Sequence, residues 1–194
     1  MSTHLSVIMT IINYIAYLNI FIWLLIPIRQ YNTRFFPFFL VLGTLDIVSL
    51  ILIYLFKIDL IITYLFGTNV LLYAALFDLG KKKKFTLVLF FIIVSFFIVS
   101  FSIKESWIIQ FIIHFIILIT FLKILIIYFG NTRKLLLFYL VLIGYEVSLL
   151  LKFFVYYKEV SIGPVYFYVT TALEILIGLF FIFINEKNSP AIKV

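Results

Sequence analysis

The chain has 194 residues; 66% are hydrophobic and only 12% charged, with a net charge of +7 and a mean hydropathy of +1.29. A soluble domain is about half apolar and a quarter charged, and at this length one aqueous core cannot hide the excess, so lipid is the expected solvent for most of the chain. This excludes a soluble enzyme, a disordered regulator and a nucleic-acid binder, and the lack of cysteine excludes disulfides, thiolate metal sites and thiol chemistry.

At the N-terminus, Met1-Ser2-Thr3-His4 has no basic region, and the apolar run behind it reaches Pro27. That is too long for a signal-peptide core, so a retained first helix is expected. Seven apolar stretches follow one another, at 6–27, 36–56, 60–78, 86–103, 107–129, 135–157 and 163–184. Each is near the roughly 20 residues a bilayer crossing needs. The connections are short and polar: Arg29 to Arg34, Lys57-Ile58-Asp59, Gly80 with Lys81 to Lys84, Lys104-Glu105-Ser106, Gly130 to Lys134, and Lys158-Glu159 to Gly163-Pro164. The Lys81–Lys84 run reads as a stop-transfer cluster, with a lipid-headgroup site as the alternative.

Connections 1, 3 and 5 and the tail carry Arg29, Arg34, Lys81, Lys82, Lys83, Lys84, Arg133, Lys134, Lys187 and Lys193; connections 2, 4 and 6 carry only Lys57, Lys104 and Lys158. Basic loops stay in the cytoplasm. The N-terminus is therefore expected outside and the C-terminus inside, in a membrane of the bacterial inner type.

The chain also resembles itself. Asn32-Thr33-Arg34 recurs as Asn131-Thr132-Arg133, Asp46 aligns with Glu146, Lys57 with Lys158, and Thr68 with Thr170, at nearly constant offsets and in the same order. The segment 6–84 then forms a first three-helix repeat, 85–104 an inverting linker helix with no charge between Val88 and Ser102, 105–185 a second repeat, and 186–194 a cytoplasmic tail. The expected fold is all-α: a polytopic membrane protein with seven transmembrane helices in a 3+1+3 parallel-repeat bundle, an arrangement associated with some transporters.

Three helices, one and three again, an outside N-terminus and this length together resemble the SWEET and PQ-loop transporters of sugars and amino acids, within the wider transporter–opsin–receptor group. The resemblance implies a solute site between the halves. It aligns the family's asparagine in span 3 with Asn69 and its counterpart in span 7 with Thr171. An opsin-like function is excluded, because span 7 has no lysine to carry retinal.

Ionisable groups inside a span cost roughly 2.5–3.5 kcal/mol each on insertion scales. Asp46, Glu146 and Glu174 lie near the centres of spans 2, 6 and 7, and Asn19, Asn69 and Thr120 lie at similar depth. Small or polar neighbours share a helix face with two of the acids: Gly43 with Asp46, and Thr170, Thr171 and Gly178 with Glu174. Lys123 is expected to snorkel towards the cytoplasm and Lys152 outward. Acids buried without a partner are driven to the neutral form, so they act as hydrogen-bond donors or share a proton or cation. The alternative is plain interhelical bonding. His114 is expected as a satisfied interfacial histidine. Trp23, four residues after Asn19, is read as either an interfacial anchor or a pocket wall.

No phosphate-cradling loop, nucleophile elbow or metal-ligand spacing is present, so neither enzyme activity nor a cofactor is expected. The expected function is proton-coupled movement of a small polar solute through a midplane cavity. Asp46, Glu146 and Glu174 would be proton or cation sites, with Asn19, Asn69 and Thr171 as hydrogen-bonding groups. The alternatives are a sensory or accessory module acting through a protein partner, and a structural subunit of a membrane complex. The bilayer is the expected environment, with a homo-oligomer as a further option.

Overall fold

The computed structural model describes residues 2–77, 79–101, 106–157 and 163–193. The connections bearing Lys104 and Lys158 lie outside the described residues. Those residues form seven helices and two short strands: α1 (Ser2–Gln30), α2 (Phe36–Phe56), α3 (Leu60–Ala75), α4 (Lys81–Phe101), α5 (Ser106–Thr132), β1 (Lys134–Leu136), α6 (Leu137–Tyr157), α7 (Gly163–Phe183) and β2 (Ala191–Lys193). Four stretches are long and apolar enough to cross a membrane: Phe36–Phe56, Lys81–Ser100, Ser106–Thr132 and Leu137–Val155. The apolar stretches Tyr14–Gln30, Leu60–Ala75 and Tyr168–Phe183 are shorter. Large apolar side chains such as Phe90, Phe96, Ile126 and Phe183 cover the outside. Such a surface needs hydrocarbon around it. The chain is an integral membrane protein.

The helix ends follow local chemistry. Lys57 caps α2 in the left-handed conformation, φ 53°, and Asp59 caps α3 by accepting from the Ile61 amide at 2.8 Å. A three-residue turn therefore satisfies both ends. Pro37 lies in the first turn of α2, where no amide hydrogen is needed. Pro27 sits inside α1 and leaves the carbonyl of Trp23 without its helical donor. The Lys81–Lys84 run, expected as a connection before a helix beginning at 86, instead forms the first turn of α4. There Lys84 Nζ rests 4.2 Å above the ring centre of Tyr73.

Consecutive helices pack as antiparallel neighbours, α1 on α2, α2 on α3, α5 on α6 and α6 on α7. Two further contacts, α3 on α5 and α7 on α1, close these six into a ring, while α4 packs outside it against α3 and α5. Glycines permit the closest approaches. A methyl group on Gly43 would strike the free carbonyl of Trp23, and one on Gly178 would lie 2.7 Å from Ile22 Cγ2.

One end of the ring is filled by the phenyl rings of Phe35, Phe38, Phe39, Phe121, Phe138 and Phe181, all fully buried. Their packed pairs have centroids 4.8 to 6.2 Å apart, mostly edge-on or tilted, an arrangement aromatic quadrupoles favour. The C-terminal segment, expected as a cytoplasmic tail, folds back onto this end. Its β2 pairs antiparallel with β1, Leu136 opposite Ala191. Ser189 Oγ and the Pro190 carbonyl accept from the amides of Phe138 and Leu137 at 2.9 and 3.1 Å. Gln30 Nε2 donates to the carbonyls of Phe181 and Ile184, tying the end of α1 to that of α7.

Candidate functional site

Above the phenyl plug, towards the opposite end of the bundle, lies a cavity of about 320 Å³. All six helices of the ring line it: α1 through Asn19 and Trp23, α2 through Asp46, α3 through Tyr64 and Thr68, α5 through Gln110 and His114, α6 through Tyr145 and Lys152, and α7 through Glu174. Most of these residues recur three or four positions apart on their own helix, so each helix turns one polar stripe to the axis. Trp23 and Tyr145 are both buried and stack obliquely, with ring centres 4.8 Å apart.

Each of the three expected acids has a different partner. The Tyr64 hydroxyl donates to Asp46 Oδ1. Among the described residues, Asp46 has no cationic partner, and its Oδ2 bonds nothing. Glu174 pairs with Lys152 through Oε1 and accepts from Asn19 Nδ2 at 3.3 Å through Oε2. Glu146 is completely buried and does not line the cavity; its Oε2 lies 2.9 Å from His114 Nδ1, with side-chain exposures of 0% and 5%. The donor in this contact depends on the His114 tautomer: with its proton on Nδ1, the neutral imidazole donates to Glu146 Oε2 and Nε2 is left as an acceptor, for which the described residues offer no partner.

The structure thus brings Asn19, Asp46 and Glu174 together on one wall system and holds Glu146 one side chain behind it. Asn69 and Thr171 lie elsewhere. Asn69 donates to the Leu65 carbonyl at 2.8 Å and to Ser95 Oγ at 3.1 Å, fastening α3 to α4. Thr171 is buried but does not line the cavity. Lys152, expected to snorkel towards the outer face, pairs with Glu174 on the cavity wall. His114, expected as a satisfied interfacial histidine, is buried with Glu146 of α6 as its partner. Trp23 is a pocket wall. Lys123 is exposed.

Gln110 and Tyr64 were not anticipated from sequence. A usable signal existed: Gln110 and His114, like Tyr64 and Thr68, are polar pairs four apart inside apolar helices. Tyr145, Leu149 and Lys152 likewise form one stripe on α6. Glu146 falls about 100° from Tyr145 and so faces α5 instead of the cavity.

Chemically the lining offers two carboxylates and one ammonium, hydroxyl and amide groups, and aromatic faces. Among the described residues no group of three His, Asp or Glu is arranged to hold a metal. Compared with protein-family models, curated proteins and solved structures, the chain matches none.

Proposed function

We propose that this protein is a carrier, not an enzyme, that moves a small polar solute across a membrane of the bacterial inner type in exchange with or together with protons. The carrying observation is the cavity itself: polar and charged groups from six helices converge midway along an apolar bundle. Intramembrane charge of this kind is expensive and marks solute or proton pathways. The volume lies at the small end of the roughly 300–1,000 Å³ typical of small-molecule sites.

The seven-span, 3+1+3 repeat belongs to this reading. It is supported by α2 and α6, which are each 21 residues long and begin 101 positions apart. The pairing of contacts supports it too, with α3 on α5 and α7 on α1 as the two joints between halves. The likeness to SWEET and PQ-loop carriers rests on helix order alone. The outside N-terminus rests on the distribution of Lys and Arg. Proton coupling is supported by the His114–Glu146 pair: His114 lines the cavity, and its Nδ1 lies 2.9 Å from a carboxyl group sealed from it, so a proton taken up by the imidazole has a neighbouring acceptor.

The test is flux in proteoliposomes with a panel of sugars, amino acids, amines and inorganic cations, with and without a pH gradient. Transport predicts uptake that Asp46→Asn and Glu174→Gln abolish while the purified variants stay monodisperse. Glu146→Gln is expected to keep uptake but remove its response to the gradient. Binding without flux under every gradient would replace the carrier by a sensor. Failure of the variants to assemble would indicate a structural subunit.

A further inference from the structure

We propose that the solute taken by this cavity is a small organic cation carrying a primary ammonium group, with Asp46 as its counter-ion. The inference rests on reading the cavity as a solute site and goes on to specify the chemistry it selects.

The charge balance comes first. Lys152, the ammonium on the lining, is already paired with Glu174, so among the described residues no free cation awaits an anionic solute. Asp46 is different. Its Oδ1 is held by a neutral donor, the Tyr64 hydroxyl, and its Oδ2 has no partner among the described residues. A carboxyl group positioned by one neutral hydrogen bond, with its other oxygen unbonded, has an oxygen free to accept from a cationic donor. Charge-assisted bonds of that kind are shorter and about twice as strong as neutral ones.

The second observation concerns a histidine on the lining. His114 is buried, lines the cavity, and has Nδ1 2.9 Å from Glu146 Oε2; in the neutral tautomer protonated at Nδ1, Nε2 is an acceptor with no partner among the described residues. An ammonium supplies several donors and no acceptor. It suits Asp46 Oδ2 and, in that tautomer, His114 Nε2, whereas a carboxylate solute suits neither. An amino acid would bring such a carboxylate into a cavity whose ammonium is taken, so a simple amine is favoured over a zwitterion.

The apolar part of the solute has a place as well. The buried rings of Trp23 and Tyr145 and the side chains of Leu149 and Phe153 share the lining. Aromatic faces also attract cations. The same walls offer little to a sugar, whose hydroxyls need a dense set of paired donors and acceptors.

The experiment uses the whole 194-residue chain in detergent and three small probes of four, five and six non-hydrogen atoms: n-propylammonium, butan-1-ol and butyrate. Binding is measured by isothermal titration calorimetry against a detergent blank. The expected order is propylammonium bound, with butanol at least about tenfold weaker and butyrate not bound, and with Asp46→Asn weakening propylammonium by about tenfold or more while leaving the protein folded. Lys152→Gln removes the competing internal cation, so propylammonium binds several-fold more tightly. Butyrate or butanol binding as well as propylammonium overturns the inference, as does undiminished propylammonium binding by Asp46→Asn. Weaker binding in Lys152→Gln overturns it too. Radiolabelled propylamine flux is then followed in proteoliposomes. Binding without flux leaves the cation site standing and removes the carrier reading. Flux of another solute, with no propylammonium binding, does the reverse.

Discussion

Gly43 is a residue whose identity is set by a single neighbour. The carbonyl of Trp23, left without a donor by Pro27, lies where a Cβ at position 43 would be. Backbone cannot yield as a flexible side chain does. Gly43→Ala is therefore expected to cost about 1–3 kcal/mol by overpacking. Gly144→Ala, where an added methyl meets nothing within 4 Å, is expected to be neutral or to gain up to about 1 kcal/mol from helix propensity. Denaturation in detergent compares the two, and equal midpoints would refute the close approach. The His114–Glu146 pair supports a second comparison. Its partners have side-chain exposures of 5% and 0%, so His114→Leu strands a carboxylate in the core at a cost of about 3–5 kcal/mol. His114→Leu combined with Glu146→Met removes both partners and should recover most of that loss. A double variant no more stable than the single would mean that the pair is not the source of the cost.

Among the connections, the segment after α7 does the most work. It donates β2 to β1 and accepts from the first amides of α6. It also places Glu186 at 3.0 Å from Arg34 Nε and at 2.5 Å from the Tyr139 hydroxyl. One strand and one side chain thus join the connection after α1, the start of α6 and the end of α7. The ion pair alone is worth little, because its side chains are 36% and 19% exposed. Arg34→Gln is expected to lower stability by at most about 1 kcal/mol. Deleting residues 186–194 uncaps α6 and removes the strand pairing, and should lower the thermal midpoint further than Arg34→Gln does, at roughly 2–4 °C for each kcal/mol lost. Equal effects of the two changes would reduce the folded-back tail to a single surface contact.

For the assembled bundle, asymmetry between its ends is the central feature. One end is closed by six buried phenyl rings and the returning tail; the other half holds the cavity. In the proposed carrier with an outside N-terminus, the cavity would lie towards the external face, and the phenyl plug would have to part for solute to reach the cytoplasm. Because the chain contains no cysteine, orientation can be tested directly with single substitutions. A membrane-impermeant maleimide applied to intact cells is expected to label Lys57→Cys and to leave Lys83→Cys and Lys187→Cys unlabelled until the membrane is opened. The reverse pattern would place the N-terminus inside.

Much of this was legible without coordinates. A run of some 20 apolar residues can satisfy its backbone only as a helix when lipid is the solvent, so the helices and most of their bounds follow from composition. Asp59 before Leu60 and Pro37 after Phe36 mark their helix starts by local capping rules. The mid-helix positions of Asp46, Glu146 and Glu174 follow from counting residues. Which of these acids would meet a cation was not legible, because partnership depends on the rotation of each helix against a neighbour far away in the chain. Lys152 turns inward for Glu174 and His114 inward for Glu146, while Asn69 turns away to Ser95. An all-round apolar helix carries no strong internal signal of which face it buries. The packing of α7 on α1 and of α3 on α5 supplies that choice, and with it the cavity.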